Sequence, residues 1–143
     1  MTATNAAPAP ILPVVDDHDT GGFFAAARDG RLALMACNGC GAFLHVPRKY
    51  CYHCGSWDTG WRDVEGRGTL YAWTVIVRQL HPAYEAPYTV ALVDVDEAPG
   101  VRLCAYLPGR PELEVGQAMQ VRFDDIGQDV VLPNWEPVPA GPA

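Results

Sequence analysis

Four of the five cysteines occur as two closely spaced pairs, and this spacing is typical of a metal site. Cys37 and Cys40 form one C-x2-C pair, Cys51 and Cys54 form the other, and ten residues separate the pairs. Each pair places two thiolates at the tip of a tight turn, and the glycine that follows it permits close approach of the backbone. The sequence therefore predicts one structural zinc ion per chain, held by these four cysteines.

Four thiolate ligands also limit the chemistry that the metal can do. A closed four-coordinate site has no open position for a water nucleophile, so we expect the ion to stabilise the fold without catalysing a reaction. Thiolates alone do not distinguish zinc from iron, and iron bound as in rubredoxin stays open as an alternative. Two disulfides are the other alternative, which a reducing compartment disfavours. His45 and His53 are left outside the site because four cysteines complete it.

The residues before the cysteines predict the elements that position them. Asp19 or Thr20 is suited to cap a short helix over residues 23–28, and Gly30 stands where such a helix commonly ends. The apolar run at residues 32–36 then predicts a strand that leads directly into the first cysteine pair.

After the cysteines, the hydrophobic pattern changes to the two-residue alternation of β-strands. Five short antiparallel strands fit a small closed or partly closed barrel of the OB type better than a two-sheet sandwich. The predicted strands cover residues 69–78, 88–95, 101–107, 119–123 and 130–132.

The predicted fold class is mainly β, with a short N-terminal helix, a zinc ribbon and a five-stranded OB-type barrel. Seven of the thirteen prolines lie in the two terminal stretches, which we therefore expect to be extended or flexible. The predicted organisation is a flexible tail at 1–18, the helix and ribbon at 19–60, the barrel at 61–133 and a second flexible tail at 134–143.

Charge and hydropathy disfavour two classes of partner. Seventeen acidic residues against ten basic residues give a net charge of -7, which opposes binding to nucleic acid or to an anionic membrane surface. The sequence has no apolar run of about 18 residues or more and no signal-peptide pattern at its start. We therefore predict a cytoplasmic protein.

No residue pattern in the sequence predicts a catalytic centre. The chain has no nucleophile elbow and no glycine-rich phosphate loop, and the metal occupies four of the thiols. The remaining thiol, Cys104, is expected to be a shielded and inert strand residue. The carboxylates near predicted turns are expected to form a solvated rim; they are Asp94, Asp96, Glu97, Asp124 and Asp125.

Several aromatic residues predict a surface for a partner or a ligand. Aromatic side chains recur at interfaces because they offer a large contact area at low entropic cost. The candidates are Phe23, Phe24, Trp73, His81 and Tyr84. For the two phenylalanines and for Trp73, a place in the protein's own core remains the alternative.

The order of these motifs resembles the acyl-CoA-associated family of OB-fold proteins with an N-terminal rubredoxin-like zinc ribbon. The likeness covers about residues 21–133. Val46 and Tyr52-His53 depart from the commoner pattern, in which prolines are frequent. The matching motifs are Gly30-Arg-Leu32, Cys37 to Gly41, Pro47-Arg48, Cys51 to Ser56, Trp61 to Thr69, Pro87-Tyr88, Ala91-Leu-Val93 and Gly116-Gln117.

This resemblance implies a function in a complex. Members of the family are noncatalytic subunits of thiolase-fold, lipid-transfer-protein-like enzymes, which include thiolases, acyltransferases and the retro-aldolases that shorten steroid side chains. The expected partner is such an enzyme subunit, in a heterotetramer, and the expected substrate of the complex is a CoA thioester.

Two other functions are kept as alternatives. An OB-fold can bind single-stranded nucleic acid, but this requires a basic groove, and the nine arginines and one lysine are scattered along the chain. A rubredoxin-like electron carrier is compatible with four thiolates, but the short spacing between the pairs and the large second domain argue against it.

Overall fold

The computed structural model describes residues 8–141, and within them the chain forms one helix and seven strands. The parts of the predicted tails at residues 1–7 and 142–143 lie outside the described residues. The elements are α1 (Gly21–Arg28), β1 (Leu32–Cys37), β2 (Thr59–Val64), β3 (Arg67–Ile76), β4 (Tyr88–Val95), β5 (Arg102–Pro108), β6 (Ala118–Asp125) and β7 (Val131–Pro137).

The strands form two antiparallel sheets, which confirms the mainly β fold class. β1 pairs with β2 from Leu32 opposite Val64 to Cys37 opposite Thr59, and the long connection between the two strands carries both cysteine pairs. The other five strands form one sheet in the order β5-β4-β3-β6-β7, which is the OB-type barrel. The division predicted at residue 60 falls inside β2, and β2 pairs with β1 and not with the barrel strands.

Strand β1 connects the ribbon to the barrel because its side chains point alternately to two clusters. Leu32 and Leu34 belong to the main hydrophobic core with the barrel residues. Met35 and Cys37 belong to a smaller cluster around the cysteines. All six residues of β1 are buried, so the strand is covered on both faces.

Helix α1 begins and ends close to the predicted residues, but its N-terminus is held differently. Thr20 is the N-cap residue without a side-chain capping bond, because its backbone is already helical. Instead, the Asp17 carboxylate accepts hydrogen bonds from the Thr20 backbone N–H at 2.7 Å and from the Thr20 hydroxyl at 2.6 Å. At the other end Gly30 has a φ of +75°, and the Arg31 N–H donates to the carbonyl of Ala26 at 2.9 Å, which closes the helix as predicted.

Strand β7 extends into the stretch that the sequence predicted to be a flexible tail. Trp135 is fully buried in the main core, and its neighbour Asn134 is buried as well. Pro133 and Pro137 lie within the strand, opposite residues of β6. Proline has no backbone N–H to donate to a neighbouring strand. It is tolerated in β7 because β7 is the last strand of the sheet and has a hydrogen-bonded neighbour on one side only.

The barrel closes where β5 and β7 approach each other, and side chains bridge this seam. The Tyr106 backbone N–H donates to Asn134 Oδ1 at 2.7 Å, and Asn134 Nδ2 donates to Asp124 Oδ2 at 2.9 Å. Arg122 Nε donates to the other oxygen of Asp124 at 2.7 Å. Asp124 is therefore not a solvated rim residue as predicted, because it holds the two side chains that join the strand edges.

No helix in residues 8–141 has the length and apolar character that crossing a bilayer requires.

Candidate metal centre

The ribbon brings the four predicted ligand sulfurs together at one point. All four Sγ atoms lie within 4.8 Å of one another. Cys37 Sγ is 3.6 Å from Cys54 Sγ, and Cys40 Sγ is 3.7 Å from Cys51 Sγ. A tetrahedral zinc ion with Zn–S bonds of about 2.3 Å separates its sulfurs by about 3.8 Å. The spacing therefore suits a single tetrahedral ion.

The two cysteine turns have the same backbone design. In the first turn, the Cys37 N–H donates to the carbonyl of Ala42 at 2.8 Å, and the Gly41 N–H donates to the carbonyl of Cys37 at 2.9 Å. The second turn repeats this pattern with the bonds Cys51 N–H to Ser56 O and Gly55 N–H to Cys51 O, both at 2.8 Å. Both glycines have a φ of +78°, which only glycine adopts without strain.

Backbone donors and neighbouring sulfurs perturb the thiols in opposite directions. The backbone N–H of Cys40, helped by that of Gly39, lowers the pKa of Cys37 to about 6 against the effect of burial. At Cys54, the backbone N–H of Ser56 lowers the pKa, but the adjacent sulfurs and burial outweigh it and raise the pKa to about 12. Four sulfurs this close cannot all ionise on their own, so the site calls for a cation.

The surroundings of the cysteines hold the turns in place. Cys37 and Cys51 are buried, with Leu44 and Met35 packed against them, while Cys40 and Cys54 face outward. Past the first cysteine, Asn38 Nδ2 donates to Asp58 Oδ1 at 2.9 Å and joins the two ends of the loop. Four sulfurs on two braced turns could hold zinc in a closed site, with a structural role.

Neither histidine near the ribbon joins this cluster. In the part of the chain that the structure describes, the metal-ligand groups that come together are the four cysteines alone. The ring of His53 packs against the ring of Tyr52, with 4.4 Å between the centroids. The arrangement agrees with the expectation that His45 and His53 lie outside the site.

Three of the five predicted surface aromatics meet at one groove. Phe23 and Phe24 pack edge to face with 5.3 Å between their ring centroids. Together with Tyr84 they line a groove of about 580 Å³ that runs along β5 and β7. Tyr84 also packs against Tyr106 of β5, at 5.6 Å between centroids. We call this surface the β5–β7 groove.

The other two predicted aromatics lie elsewhere. His81 packs against Tyr84 at 5.8 Å between ring centroids, but it does not line the groove. Trp73 lies opposite Ala91 in the β3–β4 register and is 37% exposed. Trp73 is therefore not a buried core residue, which was the alternative left open for it.

Cys104 is exposed, so the expectation of a shielded thiol is wrong. Its neighbours in β5, Leu103 and Ala105, are buried in the barrel core. Alternation along the strand therefore directs the Cys104 side chain outward, where it lines the β5–β7 groove.

Two family models match the chain, one for each of its parts. The model for the ChsH2 rubredoxin-like zinc ribbon domain matches residues 24–58, and the model for the ChsH2 C-terminal OB-fold domain matches residues 61–124. A solved chain of the Ltp2-ChsH2(DUF35) aldolase is 31% identical with a TM-score of 0.79, over 87% of this chain and 98% of the solved one. This chain belongs to the ChsH2 family. The family resemblance seen in the sequence is thus confirmed.

Two further proteins are similar to this chain, one in sequence and one in fold. A probable enoyl-CoA hydratase alpha subunit from Thermomonospora curvata is 33% identical over 123 residues, which are 85% of this chain. This ChsH2-family chain spans only 38% of that relative's length. A DUF35-family protein of unknown function from Sulfolobus solfataricus, 18% identical with a TM-score of 0.56 over 81% of this chain and 82% of its own, shares the fold.

Proposed function

We propose that this chain is a noncatalytic accessory subunit of a thiolase-fold enzyme that acts on acyl-CoA substrates. The observation that carries the proposal is the match to the ChsH2 chain of the Ltp2-ChsH2 aldolase, which is similar over 98% of its length. A chain that matches this one from end to end has the same structural elements, which supports a similar mode of assembly. The name of the enoyl-CoA hydratase relative supports the acyl-CoA substrate class. In its specific form, the proposal is that the partner enzyme is an aldolase that shortens steroid side chains. The two subunits are proposed to assemble as a heterotetramer.

Four of the five carboxylates near predicted turns support a noncatalytic role because they are engaged in structural bonds. Asp94 pairs with Arg102 at 2.7 Å. Asp96 accepts a hydrogen bond from the Thr69 hydroxyl at 2.9 Å. Asp124 holds the barrel seam, and the side chain of Glu97 accepts from a backbone N–H at 2.9 Å. Acids that are held in this way are poorly placed to transfer protons to a substrate.

The zinc ribbon supports a reducing location for the complex. The four thiols must stay reduced to bind zinc, and the cytoplasm provides that environment. The proposal therefore includes a cytoplasmic complex with one zinc ion per copy of this chain.

The proposal is tested by isolating the tagged chain from its native host at moderate salt. The copurifying protein is identified, the metal is counted, and the complex is reconstituted from separately purified subunits. We expect a stoichiometric thiolase-fold subunit, one zinc per small chain, and acyl-CoA turnover that requires both subunits.

Three outcomes contradict this proposal. Nucleic acid as the stoichiometric partner would favour the OB-fold binder, and a red iron form with a reversible one-electron couple would favour the electron carrier. A thiolase-fold partner that is equally active without this chain would rule out an accessory role in turnover.

A further inference from the structure

The tip of the zinc ribbon carries a group of exposed apolar side chains. We define the ribbon tip as Val46, Arg48, Lys49, Tyr50, Tyr52 and Trp57. Trp57 is 76% exposed, and its ring lies 5.0 Å from the ring of Tyr50. Tyr52 and Val46 are also mostly exposed. Clustered exposed apolar groups mark interaction sites, and Trp, Tyr and Arg are enriched among the residues that contribute most to binding.

The ribbon tip differs in charge from the rest of the chain. All 17 Asp and Glu residues lie outside residues 30–57, although the chain carries a net charge of -7. Arg48 and Lys49 are adjacent and exposed, and neither makes an ion pair with any residue in the described range 8–141. They line an open hollow of about 480 Å³ together with Tyr50 and Trp57, and Asp19 is the single carboxylate on its wall.

The cysteine turns fix the backbone that carries these side chains. Tyr50 and Tyr52 flank Cys51, and Trp57 follows the second turn, which is closed by the Gly55 N–H bond to the Cys51 carbonyl. Aromatic side chains on a braced turn lose little conformational entropy when a partner binds. The ribbon tip is therefore preorganised for docking.

We propose that the ribbon tip docks on the thiolase-fold partner, at a surface where carboxylates border an apolar depression. This inference rests on the proposed function. Arg48 and Lys49, which lie beside exposed aromatic rings, are complementary to a partner surface that has carboxylates next to apolar side chains. A second copy of this chain is disfavoured, because tip-to-tip contact would bring Arg48 and Lys49 against the same cations. A polyanionic nucleic acid is disfavoured by the net charge of -7.

The test measures binding of full-length, zinc-loaded variants to the thiolase-fold subunit recovered with the native chain. Trp57→Ala should weaken the affinity about tenfold or more, because it removes the most exposed aromatic anchor. The double variant Arg48→Glu, Lys49→Glu should also weaken binding about tenfold at low ionic strength, and binding should lose most of its salt dependence.

Two control variants match these changes on other parts of the surface. Arg78→Glu with Arg110→Glu changes the net charge by the same amount, and both residues are exposed. Leu80→Ala removes an apolar side chain that is 70% exposed. Each control should keep the affinity within about twofold of the unmodified chain. Zinc content and the midpoint of thermal unfolding verify that all variants fold.

Different results separate failure of this inference from failure of the proposed function. If the unmodified chain binds the partner and both ribbon-tip variants bind equally well, the docking surface lies elsewhere and only the inference is wrong. The same follows if the controls lose affinity while the ribbon-tip variants keep it. A Trp57-dependent dimer of the chain alone, seen by sedimentation, would identify a second copy as the occupant. If no thiolase-fold subunit binds the unmodified chain, the proposed function itself fails.

Discussion

At the scale of single residues, the ribbon depends on the groups that contact each sulfur. Cys37 receives backbone N–H groups from Gly39 and Cys40 at 3.3 and 3.5 Å, which stabilise its thiolate. Each exposed cysteine then completes a pair with a buried one. Because the site is closed by four sulfurs, the loss of one removes a thiolate ligand and leaves a position that only a weaker ligand such as water can fill.

The first prediction concerns Cys40. We expect Cys40→Ser to lose zinc and to destabilise the chain by more than about 2 kcal/mol, because metal binding contributes to folding. Metal analysis and urea unfolding check this result, with Cys104→Ser as the matched control. Cys104 is exposed and lies outside the site, so its substitution should change neither quantity. A Cys40→Ser protein with full zinc content and full stability would contradict the site assignment.

The second prediction concerns Gly22, where the helix packs against the ribbon. A Cβ atom at Gly22 would overlap the indole ring of Trp61, whereas a Cβ atom at Gly21 would have only ordinary contacts, the nearest at 3.6 Å. We therefore expect Gly22→Ala to lower the free energy of unfolding by about 1–3 kcal/mol. Gly21→Ala should be neutral or stabilising, because alanine favours a helix. Equal urea midpoints for the two variants would show that the helix moves away at no cost.

At the scale of elements, the barrel seam is held by side chains and not by a backbone ladder. Asn134 bonds to the Tyr106 backbone on one side and to Asp124 on the other, while Arg122 contacts both Asp124 and the Tyr106 carbonyl. Partial burial raises the pKa of Asp124, but the hydrogen bonds from Arg122 and Asn134 outweigh this effect and bring it below its ordinary value of 3.8.

The third prediction follows from the direction of this pKa shift. A carboxyl whose pKa is lowered by folding stabilises the protein above its unfolded pKa, and this stability is lost as the pH falls through the folded pKa. The cost of Asp124→Asn should therefore be largest near neutral pH and should shrink below about pH 4.

Urea unfolding of the unmodified chain and the variant at two pH values checks this prediction. Loss of zinc in acid affects both proteins and cancels in the difference between them. Asp125→Asn removes an exposed neighbouring carboxylate and serves as the control. A cost for Asp124→Asn that stays constant down to about pH 3 would mean that the seam does not depend on the ionised carboxylate.

At the scale of the whole molecule, ribbon and barrel are energetically connected through β1. Leu32 and Leu34 pack in the barrel core, while Met35 and Cys37 of the same strand pack around the sulfurs. Loss of structure in the ribbon should therefore destabilise the barrel through this one strand.

The fourth prediction concerns removal of the metal with a chelator. Hydrogen exchange should show nearly complete loss of protection in residues 38–58, because the loop has few buried contacts besides the sulfurs. Protection in β3, β4 and β5 should fall by a smaller amount, because Leu32 and Leu34 lose their anchor. Unchanged exchange throughout the barrel would show that ribbon and barrel fold independently.

The sequence alone predicted the fold class and the cysteine cluster, because both depend on local spacing. Two C-x2-C pairs with following glycines specify two turns, whatever surrounds them. The alternating pattern in residues 88–95 specifies strand β4, which the structure forms over the same residues. In each case the determining pattern can be read from a short stretch of the chain.

Only the tertiary structure decided features that depend on residues distant in the sequence. The prolines near Trp135 predicted a flexible tail. The structure instead places them in β7, where an edge position in the sheet tolerates proline, and the indole of Trp135 is buried in the core. Asp124 became part of the seam because Tyr106 and Asn134 come together only when the barrel closes. Cys104 faces outward because the closed barrel buries Leu103 and Ala105, its neighbours in β5. Strand register and barrel closure are set by long-range packing, which local sequence patterns do not encode.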